Sequence, residues 1–181
     1  MRKISQFGLF LLMPFLIVAQ NNELKKYCQE VEFYASEMNN LLNEFQDNIK
    51  KAQNSTYTQD ISLYLDIAFS SFQILTSDLK YAQDSYSEMF KLLEKQEWTD
   101  FSLIAGKAYN ESILTENEFS RIFSTADEIS GMNELMQIQQ RLSAIRNSGD
   151  DALYHLFQLK KFNKQLLDLI SSKEVEENKT E

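Results

Sequence analysis

The sequence predicts an all-α fold: an elongated bundle of three long helices, with a small helical appendage between the second and the third. Three observations carry that expectation. Proline is absent after Pro14, and beyond the first twenty residues glycine occurs only at positions 106, 131 and 149, so the chain has few places to turn. Apolar residues recur at alternating four- and three-residue spacings over long stretches, the seam of helices packed lengthwise. Strict apolar–polar alternation, the mark of a half-buried strand, is found nowhere. At 181 residues and 43% hydrophobic composition, the chain is sized for one packed domain and is not disordered in character.

The first helix is expected from about residue 22 to 53. One series at seven-residue spacing is Leu24, Val31, Met38, Phe45 and Ala52, and a second, Cys28, Ala35, Leu42 and Ile49, interleaves with it. Tyr27, Tyr34 and Leu41 widen this seam, which implies more than one neighbour. A second helix starts within NSTYTQDI, where Thr56 is placed to cap the free amides and Gln59 to reach back. From there Ile61, Leu65, Ala68, Phe72, Leu75, Leu79, Ala82, Tyr86, Met89 and Leu93 keep the alternation without a miss. A helix of about 40 residues is on the order of 60 Å long.

Between residues 98 and 131 the seam is lost. WTDFSLIAGKAYNESIL suits a short helix from Thr99 or Asp100, and TENEFSRIFSTADEI suits another, with Thr115 and Glu118 as a capping box. These two form the expected appendage. The last helix is expected from about Met132 to Ser171, with Leu135, Leu142, Ile145, Ala152, Leu156, Leu159, Leu166 and Ile170 on one face. RNSGDDA interrupts it, and Gly149 and Asn163 fall on the seam itself. The seven-residue phase survives, which favours one kinked helix over a break restarted at Asp150. The end of the chain, residues 173–181, reads as a disordered acidic tail.

The opening MRKISQFGLFLLMPFLIVAQ has two basic residues, an apolar run from Phe7 to Val18, and a small residue, Ala19. It reads as a signal peptide covering residues 1–19, cut after Ala19. The apolar run is about 12 residues, against roughly 20 needed to span a bilayer. The bundle domain is then 20–172, in the periplasm or secreted, and not membrane-spanning once the leader is removed. The formal net charge of −9 falls further without Arg2 and Lys3, and such a balance disfavours nucleic acid and anionic lipid as partners.

No catalytic, cofactor-binding or metal-binding constellation is recognisable. His155 is the sole histidine and has Ala152 three residues before it, whereas a bundle metal site of the di-iron kind repeats a Glu-x-x-His pairing. The sole cysteine, Cys28, follows Lys26 and Tyr27 rather than a lipobox, and with no second cysteine in the chain any disulfide would have to link two chains through an exposed thiol. Its phase with Ala35, Leu42 and Ile49 places it on the buried seam as a small hydrophobe. Nucleophilic use would require Cys28 and His155 to meet across the fold. Aromatic residues are plentiful. Most are expected in the core or scattered on the surface, and Phe33 and Phe69 fall off the seam. The sharper expectation is a partner-binding surface on the irregular segment, around Trp98, Phe101 and Tyr109.

The succession WTDFSLIAGKAYNESIL, a short polar helix, ISGMNELMQIQQRLSAI and YHLFQLKKFNKQL, over residues 98–170, resembles the periplasmic helical, minor-pilin-like subunits of type IV secretion and conjugation machines. That resemblance implies long helices with an inserted helical appendage and a place in an envelope apparatus; it carries over no site residue. The sequence reading is thus a non-enzymatic exported interaction protein, whose partners are envelope apparatus subunits, with self-association left open. The other reading is a stand-alone periplasmic binding, immunity or chaperone-like protein.

Overall fold

A computed structural model describes residues 13–94 and 98–177. Of the expected leader, residues 1–12 lie outside the described residues, as do residues 178–181 of the expected tail. The elements are α1 (Met13–Asn54), α2 (Thr58–Ser70), α3 (Phe72–Leu93), α4 (Thr99–Ile129) and α5 (Leu135–Glu177). They form an all-helical bundle in which each rod runs antiparallel to the next, joined by short connections.

The α1 seam closes as its spacing dictates: Leu24, Cys28, Val31, Ala35, Met38, Leu42, Phe45, Ile49 and Ala52 are all buried. The turn after α1 is organised by Ser55, whose Oγ donates to the Tyr57 carbonyl at 3.3 Å and accepts from the Tyr57 amide at 3.2 Å. That loop sets the start of α2 at Thr58. Tyr57, not Thr56, is therefore the N-cap, and it makes no side-chain cap bond. Asp60 in the first turn complements the helix dipole instead.

The expected second helix is divided at Ser71, where φ is −87° and ψ −9°. Ser70 Oγ donates to the Ile67 carbonyl at 2.7 Å, a back-bond that competes with the helical ladder. The four–three phase nevertheless crosses the break. Nine of the ten predicted positions from Ile61 to Leu93 are buried, and Leu65 is half-buried. Phe72, just after the break, is the hub of an aromatic cluster, with ring centroids 5.2 Å from Phe45, 5.1 Å from Phe119 and 4.5 Å from Phe123.

The segment expected as an appendage is one continuous 31-residue helix and a full member of the bundle. Its inward face is Phe101, Ala105, Ala108, Ser112, Thr115, Phe119, Ile122 and Ile129, on the same four–three spacing as the other rods. Thr115 does not cap a new helix. Its hydroxyl donates to the Glu111 carbonyl at 2.9 Å, and Ser112 Oγ donates to the Tyr109 carbonyl at 2.6 Å, so both polar groups are satisfied within the rod and present small surfaces inward.

Small residues bring α4 close to α5, and this is the most extensive interhelical contact. Around the bundle, α1 packs on α5 and on both α2 and α3, while α4 packs on α5 and α3. α5 runs unbroken through Gly149 to Glu177, beyond the expected end at Ser171. Gly149 is buried because Gln46 of α1 occupies the space a side chain would need. A Cβ there would stand 2.5 Å from Gln46 Nε2, which donates at 2.8 Å both to the Arg146 carbonyl and to Asp150 Oδ1.

Gly149→Ala gains about 1 kcal/mol of helix propensity but displaces the Gln46 amide. In a Gln46→Ala background, urea denaturation should show Gly149→Ala stabilising by about 1 kcal/mol, and in the native background by clearly less. Equal effects in both backgrounds would mean the two residues are not coupled.

Candidate functional site

The residues first suspected of chemistry are held apart. Cys28 is fully buried, its Sγ 3.6 Å from Met89 Sδ of α3, and burial pushes its thiol up to about 12. Asn163 Nδ2 of α5 donates to the Cys28 carbonyl at 2.8 Å. His155 lies eight residues earlier on α5, about 12 Å along the axis. Its Nδ1 is 2.7 Å from Glu111 Oε2 of α4, with both side chains largely buried. Cys28 and His155 therefore do not form a nucleophile–base pair. Among the described residues no group of three or more His, Cys, Asp or Glu side chains could hold a metal ion.

The aromatic residues expected to bind a partner are engaged in the fold. Phe101 is only 2% exposed. Tyr109 is half-buried, edge-on to Phe90 at 5.9 Å and to Tyr86 at 6.3 Å. Trp98 is half-buried at the N-cap of α4, 5.9 Å from Phe101, with Lys173 Nζ 4.2 Å over its ring. Since α4 is a core rod and not an appendage, its aromatic face is turned inward.

Two other features remain unspent. The first is a cleft of about 600 Å³ at the end of the bundle where α4 turns into α5, lined by Ile61, Leu65, Phe69, Ile129, Met132 and Ile138, with Asp66, Ser62 and Asn133 among its polar groups. The second lies on the outside of the α2–α3 rod. Leu63, Ile67, Ile74 and Tyr81 are 55%, 42%, 53% and 52% exposed. With Ser70 and Ser77 between them they make the series 63, 67, 70, 74, 77, 81, the same four–three alternation as the inward seam. Both serine hydroxyls are satisfied on their own helix, donating to the carbonyls of Ile67 and Gln73 at 2.7 and 2.9 Å. At its far end the stripe reaches α1, where Tyr81 stacks on Tyr34 at 5.3 Å and Phe33 meets Tyr34 edge-on at 5.4 Å.

A rod apolar on two faces belongs between two neighbours. The inward seam of this rod has its neighbours within the bundle; among the described residues the outer one meets α1 at Tyr81 and leaves Leu63, Ile67 and Ile74 exposed. The outer stripe was legible in principle from its spacing, but the stronger inward pattern, ten residues long, masks it, and serines hold two of its six positions.

Among the described residues no helix is long and apolar enough to cross a membrane. No protein-family model, curated protein or solved structure matches this chain.

Two expectations follow for the interior. The Cys28 thiol should label with a maleimide at least about a hundredfold more slowly in the native protein than in urea. Because its folded-state value lies above the ordinary 9.0, the folded state holds this proton more tightly. The associated stability is present below pH 9 and is lost as pH rises from 9 toward 12, a component that Cys28→Ala should remove. Tyr86 is fully buried and its hydroxyl has no hydrogen-bond partner among the described residues. Tyr86→Phe should therefore stabilise the protein by about 1 kcal/mol in urea denaturation; a loss of stability would show that the hydroxyl is satisfied.

Proposed function

We propose that this chain is an exported, non-enzymatic helical interaction protein that engages another protein along the outer stripe of its α2–α3 rod, as a periplasmic component of a conjugation or type IV secretion apparatus. The observation that carries the interaction role is the second four–three seam, solvent-exposed at Leu63, Ile67, Ile74 and Tyr81. Export is supported by the leader-like composition of residues 1–19, and the apparatus setting by the sequence resemblance over residues 98–170. Architecture adds nothing to that resemblance, because the inserted appendage it implies is a bundle rod here.

The cleft of about 600 Å³ beside α2 favours a second reading, a stand-alone periplasmic binding, immunity or chaperone-like protein that masks one target.

Affinity capture from envelope extracts with the full chain, native and Ile67→Ser/Ile74→Ser, separates these. Both positions are exposed, so the double variant should keep its helical content and urea midpoint. The native chain should recover apparatus subunits and the double variant should lose them by about tenfold or more. Recovery of one soluble partner and no apparatus subunit would establish the second reading. Undiminished capture by the double variant would remove the stripe from the interaction.

A further inference from the structure

Resting on the proposed interaction role, we infer that the outer stripe of the α2–α3 rod seats an amphipathic helix of a partner protein whose apolar face is flanked by lysine or arginine. The period identifies the occupant as a helix. Side chains repeating every 3.5 residues along the rod, in a phase that passes the break at Ser71, are complementary to the knobs of a second helix lying along it, and to neither an extended strand nor an irregular loop. The large residues Leu63, Ile67, Ile74 and Tyr81 alternate with Ser70 and Ser77, whose small side chains leave holes and whose hydroxyls make no demand on the partner. The stripe runs from residue 63 to residue 81, about 27 Å of rod, or five turns of a partner helix.

Charge decides which helix. Going round the rod at 100° per residue, Asp60 and Asp78 lie on one flank of the stripe and Asp66 and Asp84 on the other. Among the described residues none of the four is ion-paired; Asp60 accepts a hydrogen bond from Ser55 Oγ at 3.4 Å. Lys80 is the one basic residue between Thr58 and Glu88. The Asp78 carboxyl is held above its ordinary range, first by burial and then by Glu37 on the facing rod, so a cation placed beside it would relieve an existing repulsion. A second copy of the chain would bring the same aspartates against these, and a chain of net charge −9 is a poor partner for itself along this face. Anionic lipid is disfavoured for the same reason.

The probe is a labelled synthetic helix of about 21 residues with leucine at four–three spacing and lysine on both flanks, compared with its counterpart carrying glutamate at every lysine position. Fluorescence anisotropy with the full chain should show the lysine peptide binding at least about tenfold tighter than the glutamate peptide. That preference should shrink as salt rises from about 0.05 to about 0.5 M. Ile74→Gln should weaken the lysine peptide by about tenfold, Asp66→Asn/Asp78→Asn should abolish most of the preference, and Phe157→Ser, an exposed aromatic on α5, should change neither.

Equal binding of the two peptides, or equal loss with Phe157→Ser, would overturn the inference. So would a dimer in sedimentation that Ile74→Gln dissociates, which would make the occupant a second copy. So, too, would Ile74-dependent binding to neutral lipid vesicles without peptide binding. If the stripe variants abolish capture of a native partner while the charge swap has no effect, the interaction role stands and the basic partner fails.

Discussion

A rod of some forty residues keeps one face inward only if its apolar residues hold one phase along its whole length, and everything in this structure depends on that constraint being met on every rod at once. A four–three repeat, 3.5 residues on average, drifts by about 20° per heptad on a straight α-helix, an offset that a slight left-handed supercoil takes up. Each rod meets the constraint with different residues. α1 uses mostly aliphatic residues with the Phe45 ring, the α2–α3 rod adds the Phe72 and Tyr86 rings, and α4 places alanine, serine and threonine at the centre of its seam. α5 carries a glycine and an asparagine on its own seam, at 149 and 163. Gly149 and Asn163 face α1, through Gln46 and the Cys28 carbonyl, so the seams of α4 and α5 run through positions where the sequence is least hydrophobic.

That last point explains what the sequence reveals and what it hides. The seams of α1 and of the α2–α3 rod are plain because nearly every inward position is apolar, and the structure buries those positions. α4 is hidden because a scan for apolar residues meets Ser112 and Thr115 at successive inward positions and takes Thr115 for the start of a new helix. Only the hydrogen bonds to Glu111 and Tyr109 show that these hydroxyls are satisfied inside the rod. The break at Ser71 is invisible for the opposite reason: the apolar phase passes through it undisturbed. Gly149 looks like a place to kink until Gln46, a hundred residues away, is seen to fill its side. Phe33 and Phe69, alike in falling off the seam, part company in the fold. Phe69 joins the aromatic cluster 5.4 Å from Phe45, and Phe33 stands at the surface.

The candidate surface follows from the same accounting. Rings expected to meet a partner, above all Phe101, are consumed by the core once α4 becomes a rod, while four apolar side chains on the α2–α3 rod remain outside it. Their flanking aspartates turn an apolar stripe into one with a preference of sign. Specificity of this kind costs the fold little at the exposed Asp60, Asp66 and Asp84, and it works mainly by rejecting the wrong partner.

The ring of rods has one further property, which concerns time. Three of its four contacts join rods that follow one another along the chain, but the fourth joins the first rod to the last, through Gln46 and Arg146 or Asn163 and Cys28, pairs separated by 100 and 135 residues. Synthesis delivers α1 first and its α5 neighbour last. Until then, the side of α1 that will receive α5, including the Cys28 layer, has only α2 and α3 to lie against. Closure of the bundle is thus a late, long-range event whose loop entropy is offset only when the whole chain is present. Any factor that holds the polypeptide open before that moment meets it as a hairpin of rods with one side uncovered.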